Sequence, residues 1–185
     1  MRFVPTELPG VLVLEQERHP DERGYFARTW ASDELAARGL EARLSQCSVS
    51  FNRARGTLRG LHYQAPPAAE VKVVRCLRGA LLDVAVDLRP DSASFRRWVG
   101  VELTPENGRA LYIPRGFAHG FFTLLADTEI EYFISDAYRP EAARGVRFDD
   151  PFLAIGWPGR PSVIAPRDRD YPDARPAQFD ELRGL

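Results

Sequence analysis

The feature that most constrains this chain is its punctuation. Short apolar runs rich in Val, Leu, Phe and Tyr follow one another, each bounded by Gly, Pro, Asp or Asn. Runs of about four to nine residues are too short for core helices and have the composition of strands. They predict strands over 10–15, 24–30, 44–51, 57–64, 71–77, 80–88, 98–103, 110–113, 119–125, 128–135 and 146–148. Arg78-Gly79 sits between two of these runs as a tight turn, with Gly supplying the positive φ. Pro90-Asp91-Ser92 and Pro105-Glu106-Asn107-Gly108 are further turn chemistry. Helical signal is scarce. Residues 32–39 read as one short helix, with Ser32 as N-cap, Asp33 and Glu34 in the first turn and Gly39 closing it. Residues 177–183 are a candidate second. Many short strands with Gly/Pro turns predict an all-β sandwich, barrel or jelly roll. After Phe152 the chain turns irregular and Pro-rich, which reads as a C-terminal arm over 152–185, wrapping a single domain of residues 1–185.

The 185 residues can bury a sizeable core, about 70% of the unfolded surface, so folding needs neither disulfide nor metal. A net charge of −1, from 25 basic and 26 acidic residues, argues against a globally basic nucleic-acid binder. No apolar run approaches the ~20 residues of a membrane span. The opening MRFVPTELPG lacks the apolar core of a signal peptide. Cys47 and Cys76 form no Cys-x-x-Cys and read as two buried thiols in a reducing cytoplasm.

Of the 25 basic residues only Lys72 is a lysine. An arginine-favouring codon usage explains the excess of arginine but makes the exception worth following. Lysine is a compact point charge, unlike the broad guanidinium fork. His62 and His119 lie in predicted strands among apolar residues, whereas His19 lies in a polar turn and reads as solvated. A strand histidine is commonly structural. Two of them, both beside glycine and aromatics, form a polar spot in an apolar cavity if both point into a barrel. Strand alternation puts Leu58, Gly60, His62 and Gln64 on one face and Arg59, Leu61 and Tyr63 on the other. Arg59 and His62 then share a site only if Gly60 marks a bulge; otherwise one of them serves it.

Neutral imidazole is a natural general base near pH 7. Tyr132, in the run 128–135, offers a phenol as the opposing acid, and Lys72 a charge for a developing oxyanion. Together His62, Lys72 and Tyr132 are the parts for proton abstraction next to a carbonyl. Pro114-Arg115-Gly116-Phe117-Ala118-His119 resembles the second motif of the cupin superfamily. The first motif of metal-binding cupins is His-x-His, but here that position reads His62-Tyr63-Gln64. Two histidines and no carboxylate fall short of a zinc or iron ligand set.

Taken together, several segments resemble the dTDP-4-dehydrorhamnose 3,5-epimerase family of nucleotide-sugar epimerases, over nearly the whole chain. They are Asp21-Glu22-Arg23-Gly24-Tyr25-Phe26, the run 56–64, KVVRCLRGALLDVAVDLR from Lys72, YIPRGFAHGFF from Tyr112, the run 132–138, RGVRFDDP from Arg144, and Trp157-Pro158. The resemblance implies a cupin-type jelly roll (double-stranded β-helix barrel) that works as a homodimer without metal or cofactor. It makes His62 the base, Asp168 the carboxylate orienting it, Tyr132 the proton donor and Lys72 the group at the sugar O4. It makes His119 a substrate contact, Arg23, Phe26, Gln46 and Arg59 nucleotide and diphosphate contacts, and Tyr138 the stacking partner of thymine. The chain departs from the family pattern at Arg28, Cys47-Ser48, Phe133, Ala143 and Arg167, positions mostly near the nucleotide, with Arg167 itself a substrate contact. Three other outcomes remain: a C3- or C5-only epimerase, a non-catalytic sugar-nucleotide-binding cupin, and a metal-dependent cupin oxygenase.

Overall fold

The computed structural model describes residues 1–185. Fourteen strands carry the fold: β1 (Arg2–Pro5), β2 (Leu12–Glu15), β3 (Arg18–Asp21), β4 (Gly24–Ala27), β5 (Gln46–Asn52), β6 (Thr57–Gln64), β7 (Lys72–Arg78), β8 (Leu81–Asp87), β9 (Trp98–Leu103), β10 (Arg109–Ile113), β11 (Phe117–Thr123), β12 (Thr128–Ile134), β13 (Ala143–Gly145) and β14 (Val163–Ile164). Helix is limited to α1 (Ser32–Ala36), α2 (Pro166–Arg169) and a 3₁₀ segment over Pro176–Leu182. One sheet runs β1-β2-β10-β7-β12-β5, a second β13-β6-β11-β8-β9 with β14 beside β6, and β3-β4 form a separate hairpin.

The two large sheets face each other across a core of Val74, Cys76, Leu111, Ile113 and Ile130 from the first and Leu81, Ala85, Leu103, Phe117 and Phe121 from the second. Period-two alternation assigns the remaining side chains. The outward residues Val84, Val86 and Leu88 pack with Leu153, Phe179 and Leu182 of the C-terminal arm. The second sheet is therefore covered on both faces, which is why β8 reads as a nearly continuous apolar run. On the first sheet, Leu14, Val73, Tyr112 and Phe133 pack outward against Leu35 of α1.

Several local expectations are corrected. Ser32 does not cap α1: Ala31 occupies the N-cap with no side-chain hydrogen bond, and Ser32 Oγ instead accepts from Trp30 Nε1 at 3.0 Å. Gly39 closes this turn in the left-handed region, at φ +69°. The strand expected over 146–148 lies at Ala143–Gly145, because that segment pairs with Gln64–His62 of β6. The helix expected over 177–183 is a 3₁₀ segment, Pro176–Leu182, rather than α structure. Strands β1, β3 and β14 carried no readable run; β3 is Arg-His-Pro-Asp, exposed throughout. Both cysteines are free, but Cys47 is exposed on β5 and only Cys76 is buried.

Candidate active site

A cavity of about 500 Å³ opens between the two sheets. Alternation delivers its walls. From the first sheet come Gln46, Ser48 and Ser50 of β5, Lys72 of β7, and Tyr132 and Ile134 of β12. Register confirms one face: Tyr132 lies opposite Ser48 and Val74, and Ile134 opposite Gln46 and Lys72. The second sheet contributes Arg59, His62 and Gln64 of β6 and His119 and Phe121 of β11. A smaller cleft of about 160 Å³ is lined by Arg28, Arg75 and Arg109, each already paired with a glutamate, and offers no base.

Arg59 and His62 both reach the cavity because β6 is bulged. His119 pairs with His62 and Phe121 with Arg59, so Gly60 and Leu61 together oppose the single residue Gly120. Gly60 has φ +115°, and a Cβ there would lie 2.6 Å from Gly120 Cα. Only glycine fits this close approach. The bulge also frees the Gly60 amide, which donates to Asp168 Oδ2 at 3.0 Å.

Asp168 is carried by α2, which begins at Pro166 and sits against β6. Its other oxygen, Oδ1, is 2.7 Å from His62 Nε2. Burial by itself would raise the Asp168 carboxyl. The hydrogen bond and charge of His62, the Gly60 amide and Arg167 outweigh it, and the pKa falls below the aspartate range. An ionised carboxylate only accepts, so in the uncharged form of His62 the proton sits on Nε2 and the lone pair on Nδ1. The Tyr171 ring lies 6.4 Å edge-on from His62, and its hydroxyl accepts from Arg167 Nε at 3.0 Å.

A second histidine–aspartate pair lies deeper. His119 Nε2 is 2.7 Å from Asp83 Oδ1, and both are buried. Asp83 Oδ2 has no partner. Burial raises the Asp83 carboxyl, with His119 and Lys72 pulling against it. Tyr132 stands edge-on to His119 at 6.0 Å. Burial, then the nearby Asp83, push its phenol above the usual range against Arg59 and Ser50, so it stays protonated at neutral pH. Lys72 Nζ is 2.9 Å from Glu70 Oε1.

The structure thus gathers His62, Lys72, Tyr132, Gln46, Arg59, His119, Tyr138 and Arg167 around one cavity, with Asp168 behind His62. Tyr138 is exposed at 55%, free to present its ring to a planar group. It does not bring Arg23 and Phe26 there. Arg23 pairs with Asp21 at the β3-β4 turn, and Phe26 is 68% exposed on β4. Sequence reading missed Asp83 and Glu70; the signal for Asp83 was an acid flanked on both sides by apolar residues inside a strand, LLDVAVD, whose second acid, Asp87, stands at its end. No group of three or more His, Cys, Asp or Glu is arranged to hold a metal ion. No helix is long and apolar enough to cross a membrane.

Residues 5–175 match the family model for dTDP-4-dehydrorhamnose 3,5-epimerase. The chain belongs to this family. A dTDP-4-dehydrorhamnose 3,5-epimerase from Methanothermobacter thermautotrophicus is 41% identical over 177 residues, 94% of this chain and 95% of the relative. A dTDP-4-dehydrorhamnose 3-epimerase from Streptomyces niveus is 37% identical over 171 residues, 92% of this chain and 82% of the relative. The crystal structure of the Bacillus anthracis 3,5-epimerase with TDP and PPi bound superposes with a TM-score of 0.89 at 36% identity, covering 94% of this chain and 99% of that one. Membership in the epimerase family accounts for a cavity that sets imidazole, ammonium and phenol around one space.

Proposed function

We propose that the chain epimerises a dTDP-4-keto-6-deoxyhexose at C3 and C5, without a cofactor, through an enolate. Both carbons flank the keto group, so both C–H bonds are acidified. His62 Nδ1 takes the proton, with Asp168 fixing the ring and stabilising the imidazolium. The C–H electron pair becomes the C=C bond, and the carbonyl pair moves onto O4, where Lys72 meets the oxyanion. Tyr132 returns a proton to the carbon from the other side, and exchange with solvent restores the imidazole and the phenol. His119, held by Asp83, contacts the sugar. Arg59, Arg167 and Gln46 grip the diphosphate and nucleotide through charge-assisted bonds, and Tyr138 stacks on the base.

The observation that carries this reading is the opposition of His62 and Tyr132 on different sheets across one cavity. Inversion needs acid and base on opposite faces of the ring, and one residue cannot serve both. The two sheets are the halves of a cupin jelly roll in this reading, formed by a single domain. The working unit is a homodimer. The β3-β4 hairpin joins neither large sheet, and β5 is an edge strand with Val49 and Phe51 exposed. Such a hairpin, reaching a second copy, would bring Arg23 and Phe26 to its nucleotide. The free thiols suit a reducing cytoplasm.

The test is turnover of dTDP-4-keto-6-deoxyglucose in D₂O, read by NMR and mass. Deuterium at C3 and C5 of an inverted product is the expected result. Deuterium at one carbon makes the enzyme a single-centre epimerase. No incorporation, with dTDP still bound, leaves a nucleotide-sugar binder and overturns the proposal.

A further inference from the structure

Glu70 is the only acidic residue lining the cavity, beside Arg59, Lys72, Arg144 and Arg167. Resting on the reading above, that cavity takes a substrate with a diphosphate. A carboxylate there repels the ligand unless it serves another group. Glu70 is tightly held: its side chain is 9% exposed, and both oxygens are engaged. Oε1 lies 2.9 Å from Lys72 Nζ, and Oε2 accepts from Gln64 Nε2 at 2.8 Å. Gln64 is itself fixed. Its two N–H groups are shared among Glu70 and the carbonyl oxygens of Ala68 at 3.0 Å and Ala137 at 3.2 Å, and its oxygen accepts from the Arg139 amide at 2.6 Å.

We propose that Glu70 is a positioning residue that holds the Lys72 ammonium at the reacting carbonyl and away from the diphosphate. A lysine is a point charge on a four-carbon stem, and in a cavity that binds a diphosphate its stem would carry it to the densest negative charge. Glu70 occupies one of its three donors and leaves two for the substrate. Gln64 ties this clamp to the backbone next to Tyr138, so the segment that stacks on the base also braces the oxyanion group. Glu70 takes no proton in the reaction.

Lys72 is the only lysine, so ¹⁵N-lysine labelling of the whole protein gives a single side-chain Nζ resonance. In the wild type that resonance is sharp and protected from solvent exchange; in Glu70→Ala it broadens or is lost. An unchanged Nζ signal in a folded Glu70→Ala protein overturns the proposal, whatever the enzyme's activity. Turnover gives the second reading. Glu70→Ala lowers kcat about 10–100-fold, the cost of a reacting group displaced by about an ångström, while KM stays equal or falls. In a Lys72→Ala background the same change lowers kcat less than about twofold, because Glu70 acts through Lys72. An equal fall in both backgrounds, or a raised KM with kcat unchanged, overturns it. Should Glu70→Ala not fold, Glu70→Gln carries both measurements. Its amide has one accepting oxygen where Glu70 uses two, and its NH₂ must face either Lys72 or Gln64, so the Nζ signal and kcat shift in the same direction by less. Failure of the wild type to incorporate deuterium counts against the proposed function alone, since the Nζ resonance is read without substrate.

Discussion

Asp168→Asn removes one charge and keeps the shape, and its effect follows from two hydrogen bonds. In the native site both carboxylate oxygens accept, one from His62 Nε2 at 2.7 Å and one from the Gly60 amide at 3.0 Å. An asparagine has one accepting oxygen. If it faces Gly60, its NH₂ faces His62, and the ring must accept there. Nδ1 then carries the proton and the base points its lone pair the wrong way. If the oxygen faces His62, the NH₂ meets the Gly60 N–H, two donors against each other in a buried place. Either way the imidazolium loses its counter-charge. Where a serine protease suffers the same change, wrong tautomer included, kcat falls about 10⁴-fold. A fall of about 10³–10⁴ is expected here, roughly 4–5.5 kcal/mol in the barrier. NMR-monitored turnover measures it, and ¹⁵N shifts of the His62 ring report the tautomer. Stability gives a second check. The folded-state pKa of Asp168 is depressed. Its stabilisation is therefore fully present above the unfolded value of about 3.9 and is lost as pH falls through the folded value. The Tm gap between wild type and Asp168→Asn should accordingly narrow below about pH 4. Activity within threefold of wild type would refute the argument that Asp168 sets the tautomer of His62.

Three further outcomes follow from the same geometry. Lys72→Arg keeps the charge but puts a broad fork where Glu70 and the cavity wall leave room for a point, so kcat should fall about 10-fold or more, with dTDP affinity retained in calorimetry; wild-type kcat would make the lone lysine an accident of codon usage. Gly60→Ala places a Cβ 2.6 Å from Gly120 Cα at φ +115°, so circular dichroism should record a Tm loss worth more than about 2 kcal/mol, and any folded protein should be inactive because the bulge aims His62. Phe179→Ala empties a fully buried position under the arm and should cost about 3–5 kcal/mol in urea unfolding.

How far the sequence could be read depends on how far each interaction reaches along the chain. Strands β6 and β9 have the bounds their alternation and turn residues predict, because pattern and pairing agree there. The Gly60 bulge was one of two readings, and only the pairing of β6 with β11 decides between them. Ser32 fits the N-cap pattern, yet the Trp30 indole takes its hydroxyl. Asp168 lies 106 residues from His62, in a Pro-rich arm with no periodicity, so only the family resemblance pointed to it. Asp83 and Glu70 gave no motif at all; their meaning comes from His119, 36 residues away, and from the side chain of Lys72. Cys47 alternates onto the outer face of an edge strand, a position local composition does not encode.

The central claim is that base and acid are separate residues on opposite walls. It is tested most directly by comparing deuterium exchange with inversion in His62→Ala and Tyr132→Phe, using dTDP-4-keto-6-deoxyglucose in D₂O. The account predicts that His62→Ala binds dTDP but exchanges neither C3 nor C5. It predicts that Tyr132→Phe still exchanges while inversion falls far more steeply. Exchange at the wild-type rate in His62→Ala, or equal loss of exchange and inversion in Tyr132→Phe, would contradict it.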